Sequence, residues 1–368
     1  MRDRVAVAGV GLSGGLEPMA GALGLYVVKV ADFETARAAL EENPPLCAVV
    51  DWRSAVGRDL CLGVRGSPVL ADLPLVAVVD DPWSPTVGEA FTSGADDYVA
   101  IADLEHVRGK LASLRGSGIA LGGSLTGAVI LADPDRQRRV QLARHLGRMG
   151  LNVRFALDAD GIPNDPEVRL VVAHYELPPH GILPALRRLE TARASDSAIP
   201  WVVVGPTEAL TALKNDVGDA PGLKFFDEAS DPAQIVFLAN QLLVGQAKAM
   251  RRSPRLLYQV PAAMSAAGGP AASPAAWGYT YNINRGGLFI RTITPPAAGS
   301  MLEIEFTPPH GRGRVRVEGK VVWRQEFPGT RSSPAGCGIQ YGELPLADGA
   351  ALEVGYGKLL EESGEQAD

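Results

Sequence analysis

Three arginines surround a proline in the last third of the chain, in the sequence Arg251-Arg252-Ser253-Pro254-Arg255. A guanidinium group presents a planar fork of donors that matches phosphate oxygens two at a time and stacks on aromatic faces. Pro254 prevents a helix from continuing smoothly and pushes Ser253 toward extended geometry. The pattern predicts three cations presented on a hinge, although such a segment alone is often only a solvated linker.

A second polar group follows within the strand-like segment 281–292, where Asn282 and Asn284 share one face and Gly287 comes three residues later. Amide side chains both donate and accept hydrogen bonds, and glycine allows another group to approach the backbone closely. On its own, such a segment usually forms a tight β-turn. Together with the arginines at this spacing, it favours a ligand-binding site.

The composition is that of an ordinary globular protein of two or three domains: 368 residues, 46% hydrophobic and 21% charged. A net charge of -7 argues against general affinity for DNA or anionic membranes, which requires clustered cations. The three cysteines are isolated, which is typical of buried thiols in a reducing compartment. We expect a cytoplasmic protein with no membrane insertion and no metal site.

The first two thirds of the chain contain one pattern twice. Short apolar runs alternate with helix-like stretches from residue 4 to 116, and the same order returns from 127 to 245. Equivalent residues of the two copies are separated by nearly the same number of positions. Asp51 corresponds to His174 and Pro74 to Pro200, and the two separations differ by only a few residues. Five strands alternating with helices predict a parallel sheet covered on both faces, so the sequence predicts two α/β doubly wound domains.

The texture changes after residue 246. Short strand-like segments separated by glycine- and proline-rich turns predict a small antiparallel β-barrel, and residues 348–362 predict a closing C-terminal helix. Trp323 is expected to be an aromatic residue on the face of this barrel.

The first two units resemble the flavodoxin-like receiver domain of bacterial response regulators. The resemblance rests on "LPLVAVVDD…FTSGADDYVAIADLEHV", which looks like the fourth strand, fourth helix and fifth strand of that family. Receivers transfer a phosphoryl group with an acidic pair that holds magnesium, an acceptor aspartate, a hydroxyl residue and a lysine. Because the cations neutralise the developing phosphoryl charge, their loss removes catalysis.

The first copy has lost most of this chemistry. Asp51 occupies the phosphoacceptor position, but Gly9 to Gly11 stand where the acidic pair belongs, Val79 replaces the hydroxyl residue and Ile101 replaces the lysine. We therefore expect Asp51 to be a structural carboxylate that is not phosphorylated.

The second copy is degenerate in a different way. It keeps Asp133, but it has His174 for the acceptor, Gly205 for the hydroxyl residue and Glu228 for the lysine. His174 and His180 lack a nearby third metal ligand, so we expect a strand-end and a loop histidine.

A competing motif overlaps the first copy. Residues 9–14 fit GxGxxG after a strand, and Asp32 follows the next strand, as in dinucleotide-binding folds. A glycine-rich chain produces such matches by chance, and Pro18 blurs the helix start. An NAD-linked enzyme is kept only as a remote alternative.

Residues 247–346 resemble a PilZ domain, whose two motifs are RxxxR before the first strand and (D/N)xSxxG at the end of the second. The first motif stands intact as Arg251 to Arg255, and the second as Asn282 to Gly287 with Asn284 in place of serine. The resemblance implies binding of cyclic di-GMP. It implies that Arg251, Arg252 and Arg255 hold phosphates and guanine, and that Asn282, Asn284 and Gly287 hold a guanine edge.

The resulting hypothesis is a non-enzymatic signalling effector with three domains. The expected divisions are 1–116 and 127–246 for the receiver-like domains, 117–126 for a linker, and 247–368 for the PilZ domain with a hinge at 247–255 and a C-terminal helix. Cyclic di-GMP would be sensed by the PilZ domain and relayed to a protein partner through the receiver-like domains, which could also pair in a homodimer. The alternative is an interaction scaffold of the same fold that has lost ligand binding.

Overall fold

The computed structural model describes residues 3–9, 11–116, 127–159, 161–162, 165, 167–192, 199–218, 222–243, 253–268, 276–327 and 333–363. We call residues 3–116 the first α/β unit, 127–243 the second α/β unit and 253–363 the barrel unit. Arg251 and Arg252 lie outside the described residues.

The first α/β unit is a five-stranded parallel sheet in the order β2-β1-β3-β4-β5. This is the doubly wound order of flavodoxin-like folds, receivers included. Its central strands are buried at every position because helices cover both faces. The strands are β1 (Arg4–Ala8), β2 (Tyr26–Lys29), β3 (Cys47–Asp51), β4 (Leu75–Val79) and β5 (Asp97–Ala100), and the helices are α1 (Leu12–Ala22), α2 (Phe33–Glu42), α3 (Ala55–Gly66), α4 (Thr86–Thr92) and α5 (His106–Gly116).

The second α/β unit repeats this topology, with its sheet in the order β10-β9-β8-β6-β7. The equivalent order confirms the predicted duplication. One difference follows β7, where the described residues up to β8 form bends and turns in place of a helix. The elements are β6 (Ala128–Ala132), α6 (Arg136–Arg148), β7 (Asn152–Ala156), β8 (Val168–His174), α7 (Leu183–Ala192), β9 (Trp201–Gly205), α8 (Thr207–Val217), β10 (Leu223–Asp227) and α9 (Gln234–Leu243).

The barrel unit is a closed antiparallel barrel of six strands, β13-β12-β15-β16-β17-β14, closed by the pairing of β14 with β13. Buried and exposed residues alternate along the strands, because successive side chains point into and out of the barrel. The elements are β11 (Leu256–Leu257), β12 (Pro261–Ala266), β13 (Ala276–Asn284), β14 (Gly287–Arg291), β15 (Met301–Phe306), β16 (Val315–Gln325), β17 (Gly336–Tyr341) and α10 (Leu346–Ser363).

Helix α10 is the predicted C-terminal helix. Its residues Leu352, Tyr356 and Leu360 are buried in the same apolar cluster as the barrel interior. The helix therefore completes the barrel core. Among the described residues, no helix has the length and apolar character needed to cross a bilayer.

The barrel packs on the first α/β unit through aromatic side chains. Phe91 on α4 stacks on Tyr279 of β13, with ring centroids 4.3 Å apart and planes within 8°. Tyr98 on β5 donates to the carbonyl of Gly278 at 3.3 Å, and Trp277 donates to Asp103 at 3.0 Å. The first strands of the barrel therefore extend the core of the first unit.

Buried charges connect all three units. Asp96, just before β5, accepts from Arg65 on α3 at 2.8 Å and from Arg144 on α6 at 2.7 Å. Asp231, just before α9, pairs with Arg291 at the end of β14. Removing one partner of a buried ion pair leaves an uncompensated charge, so separating the units at these pairs would be costly.

Candidate ligand-binding site

Strand β11 positions the only described arginine of the predicted RxxxR motif. Leu256 pairs with Ile283 and Leu257 with Asn282, which places Arg255 beside the carboxyl end of β13. The preceding residue is also held, because Tyr356 on α10 donates from its hydroxyl to the carbonyl of Pro254 at 2.7 Å. The main chain therefore carries Arg255 to the second motif.

An open cleft of about 210 Å³ lies on the barrel surface at this point. It brings together four of the predicted ligand residues: Arg255, Asn282, Asn284 and Gly287. The remaining two, Arg251 and Arg252, precede the described part of this segment. The opposite wall of the cleft is formed by β16 and β17, including Trp323.

Asn284 builds the turn between β13 and β14. Its side-chain oxygen accepts from the backbone N–H of Gly286 at 3.0 Å, which is the geometry of an Asx turn. Serine can make the same contact more weakly, so the residue that departs from the family motif still performs a local structural role. The side-chain NH₂ group of Asn284 is the part that can serve a ligand.

Gly287 is required by the barrel itself. A Cβ atom at this position would lie 2.0 Å from the carbonyl oxygen of Ile339, because β14 and β17 approach closely there. Gly286 is different, since a Cβ atom there would meet nothing nearer than 3.8 Å. Gly287 is therefore required for the pairing of β14 with β17, and it is also the glycine predicted to let a ligand approach.

Trp323 lies on the barrel face, as expected, and also lines the cleft. Its ring stacks on Phe289 with centroids 5.1 Å apart, after a register shift in β16 that turns the side chain outward. It also covers Gly338, where a Cβ atom would lie 2.2 Å from its indole nitrogen. The cleft therefore combines a cation, amides and an aromatic wall, a set suited to a nucleotide.

Arg285 lies between Asn284 and Gly286 in the sequence, but it does not line the cleft. It pairs with Glu353 of α10 at 2.9 Å and lies over the ring of Tyr356. Its charge holds the helix to the turn.

In the first unit an arginine pairs with Asp51, the residue at the predicted phosphoacceptor position. Arg53 donates from Nε to Asp51 at 2.7 Å, from Nη2 to Asp51 at 3.0 Å and from Nη1 to Asp80 at 2.9 Å. Gly9 packs so tightly that a Cβ atom there would lie 2.2 Å from Cβ of Asp51. An acidic residue therefore cannot be accommodated at Gly9 without a shift of Asp51.

The second unit uses the same device with a different residue. Arg138 pairs with Asp133 and donates to Glu228 at 2.8 Å, and Glu228 contacts Nε2 of His174 at 3.1 Å. Neither arginine is among the residues predicted from the sequence, although their positions two and five residues after the carboxylates were a signal. Among the described residues, no cluster of histidine, cysteine and carboxylate side chains could hold a metal ion.

The residues of the GxGxxG match have structural tasks. Gly11 is the N-cap residue of α1 and lies in the left-handed region with φ of 83°, and the Asp32 carboxylate caps α2 by accepting from the Thr35 N–H at 2.8 Å. All three cysteines are free and buried, as the sequence predicts.

Comparisons with known proteins agree with this architecture. Residues 250–354 match the family model of the PilZ domain. The search of curated proteins found no match.

Three of the solved structures that match parts of the chain are the following. A two-component system response regulator/GGDEF domain protein is 19% identical over 67% of this chain and 100% of that one, with a TM-score of 0.31. The receiver domain of a sensor histidine kinase from Pseudomonas aeruginosa is 21% identical over 32% of this chain and 100% of that one, with a TM-score of 0.27. The PilZ domain of YcgR from Escherichia coli, solved with c-di-GMP, is 12% identical over 32% of this chain and 99% of that one, with a TM-score of 0.23.

The family match spans the closed barrel, the segment that carries Arg255 and the turn that carries Asn284 and Gly287. It ends within helix α10. Residues 250–354 therefore belong to the PilZ domain family, and they follow two α/β units with the receiver strand order.

Proposed function

We propose that this protein is a non-enzymatic signalling effector whose PilZ domain binds cyclic di-GMP in the barrel cleft. The observation that carries the proposal is the convergence of Arg255, Asn282 and Asn284 on one open cleft inside the PilZ match. These residues come from two sequence segments that β11 and β13 bring together.

The chemistry of the cleft suits this ligand. Arg255, with Arg251 and Arg252, would hold phosphates and the Hoogsteen edge of guanine through paired N–H donors. The amides of Asn282 and Asn284 would bind the guanine edge, with Gly287 beside them. Trp323 offers an aromatic face of the kind on which bases stack.

The receiver-like units would serve as the interaction surface for a protein partner. In both units an arginine pairs with the retained carboxylate, Asp51 in the first and Asp133 in the second, which supports a role without phosphoryl transfer. The divisions at 117–126 and 247–255, the cytoplasmic location and pairing of the receiver-like units in a homodimer remain predictions.

The β13–β14 hairpin offers a physical route for the relay. Its turn lines the cleft with Asn284 and Gly287, and its other end contacts the first unit through Tyr279. Tyr281, in the middle of β13, donates to the carbonyl of Ala233 in the second unit at 2.9 Å. Ligand at the turn therefore acts on an element that touches both α/β units.

Isothermal titration calorimetry of the full chain with cyclic di-GMP tests the proposal. Saturable binding that cyclic di-AMP and GMP do not reproduce is the expected result. If the titration shows no binding heat at high micromolar cyclic di-GMP, the interaction scaffold without ligand binding becomes the better description of this protein.

A further inference from the structure

A small cavity of about 20 Å³ lies where the three units meet. Its polar lining comes from all three units: Asp96 from the first, His145 and Arg148 from the second, and Arg291 and Ser333 from the barrel. This volume is enough for one species of the size of a water molecule or a halide ion.

The surroundings of the cavity carry an excess of positive charge. Four guanidinium groups meet there, from Arg65, Arg144, Arg148 and Arg291, against three carboxylates, from Asp72, Asp96 and Asp231. The Asp72 side chain is 58% exposed, so water screens its charge and the excess inside is larger than the count indicates.

Two polar atoms of the cavity lining are buried with neither a hydrogen bond nor an ion pair among the described residues: Nε of Arg291 and Oγ of Ser333. Arg291 is 3% exposed and Ser333 is 6% exposed, so bulk water does not satisfy them. The other nitrogens of Arg291 are used, by Asp231 and by the carbonyl of Ala95. Both unpartnered atoms can donate, which is what an anion requires.

The remaining ionisable groups of the lining do not remove the excess. Both carboxylate oxygens of Asp96 already accept hydrogen bonds, from Arg144 and from Arg65 with the N–H of Leu75. Burial, with the nearby guanidinium groups, holds the pKa of His145 well below its ordinary value, so this ring is neutral and can donate one N–H.

We propose that this cavity binds a single small monovalent anion, with chloride as the physiological ligand, held by Arg291, Arg148 and Ser333. The anion offsets the unbalanced cation at the point where the three units join. It thereby stabilises their arrangement independently of the cyclic di-GMP cleft.

Crystals of the full chain grown in sodium bromide test this directly, because bromide replaces chloride and scatters anomalously. An anomalous peak in the cavity beside Arg291 is expected. An ordered water there, with no anomalous signal, overturns the proposal.

Thermal unfolding gives a second test at constant ionic strength, with sodium gluconate exchanged for sodium chloride. The melting temperature should rise as chloride is added and reach a plateau. Ser333→Ala should raise the chloride concentration at half of this effect roughly tenfold, as expected for one lost hydrogen bond to an ion. Ser265→Ala, on β12 away from the cavity, is the matched control. Equal behaviour of chloride and gluconate in the wild type, or equal chloride dependence in Ser333→Ala and the wild type, contradicts a built anion site.

Discussion

Arg144 of the second α/β unit donates to Asp96 of the first at 2.7 Å, and the two side chains are only 2% and 8% exposed. The same carboxylate also accepts from Arg65. One aspartate therefore joins the duplicated halves of the chain and fixes the loop before β5. Burial disfavours ionisation of Asp96, but Arg144 and Arg65 more than offset this and hold its pKa well below the ordinary value.

The first prediction concerns this carboxylate. Asp96→Asn leaves Arg65 buried without a counter-charge and Arg144 with only the exposed Asp72, so we expect a loss of about 3–5 kcal/mol in the free energy of unfolding. Asp72→Asn, an exposed member of the same network, should cost less than about 1 kcal/mol. Urea unfolding followed by circular dichroism measures both. Equal costs for the two variants would mean that Asp96 does not join the units.

The second prediction concerns pH. The pKa of His145 in the folded state lies well below the ordinary 6.5 because of burial and of Arg144, Arg148 and Arg291. The unfolded chain takes up a proton below pH 6.5 while the folded chain does not, so stability is full above this pH and falls as the pH decreases. This group alone contributes a slope of up to about 1.4 kcal/mol per pH unit.

His145→Gln should flatten the pH dependence of stability between about pH 6.5 and pH 5, because the side chain no longer titrates. His180→Gln, in an exposed loop, is the control and should keep the wild-type slope. Denaturant midpoints measured across this range distinguish the two. A wild-type slope in His145→Gln would assign the titration to other groups.

The third prediction concerns the ligand cleft. Arg255→Ala should weaken cyclic di-GMP binding roughly ten- to a hundredfold, since a hydrogen bond to a charged group contributes about 1.5–3 kcal/mol. Arg251→Ala should act alike, and added salt should weaken the wild type in the same direction. Arg324→Ala, an exposed arginine of β16 outside the cleft lining, should bind like the wild type in calorimetry.

The asparagines should separate by role in the same titration. Asn284→Ser restores the family residue and can still cap the turn, so affinity should hold or improve. Asn282→Ala removes a base contact, so it should reduce discrimination between guanine and adenine more than it changes salt dependence. If wild type and Asn284→Ser both fail to bind, the sensor proposal falls.

The fourth prediction contrasts two neighbouring glycines. Gly287→Ala places a methyl group 2.0 Å from the Ile339 carbonyl oxygen, so the barrel should lose more than about 2 kcal/mol of stability. Gly286→Ala meets nothing closer than 3.8 Å and should fold normally. Thermal melting checks both, and Gly286→Ala then reports on ligand approach without a folding defect. Normal stability of Gly287→Ala would show that β14 and β17 can separate.

The fifth prediction concerns phosphorylation. Incubation with acetyl phosphate and magnesium should leave the intact mass unchanged, because Arg53 occupies both oxygens of Asp51. A gain of one phosphoryl group that Asp51→Asn abolishes would show that the first unit still works as a receiver.

Much of the architecture could be predicted because local patterns encode it. Continuous apolar runs such as β3 and β4 predict buried parallel strands, and the alternation along β16 predicts a barrel wall. The placement of Arg255, Asn284 and Gly287 on one cleft was also predictable, since Asn284 and Gly287 belong to one turn and Arg255 lies just before the first strand.

The joint between the units was not predictable from local patterns. Arg65, Asp96, Arg144 and Arg291 are far apart in the chain, and each stands in a segment where a charged residue would ordinarily face water. Only the packing of three separate sheets brings them together. The pairing of Arg53 with Asp51 could be predicted only in part. The position of Arg53 two residues after Asp51 was a signal, but a surface arginine and the partner of a buried carboxylate look alike in sequence.

The β13–β14 hairpin is held by buried contacts at one end and is open at the other. Its base is held between the α/β units by Tyr279 and by the Arg291–Asp231 pair, while the half-buried Asn284 at its tip lines the open cleft. A ligand at the tip can restrict motion along the hairpin more readily than it can move the base, because moving the base would break the buried Arg291–Asp231 pair. We therefore expect a ligand in the cleft to slow amide exchange along both strands and to leave the distances between the three units unchanged.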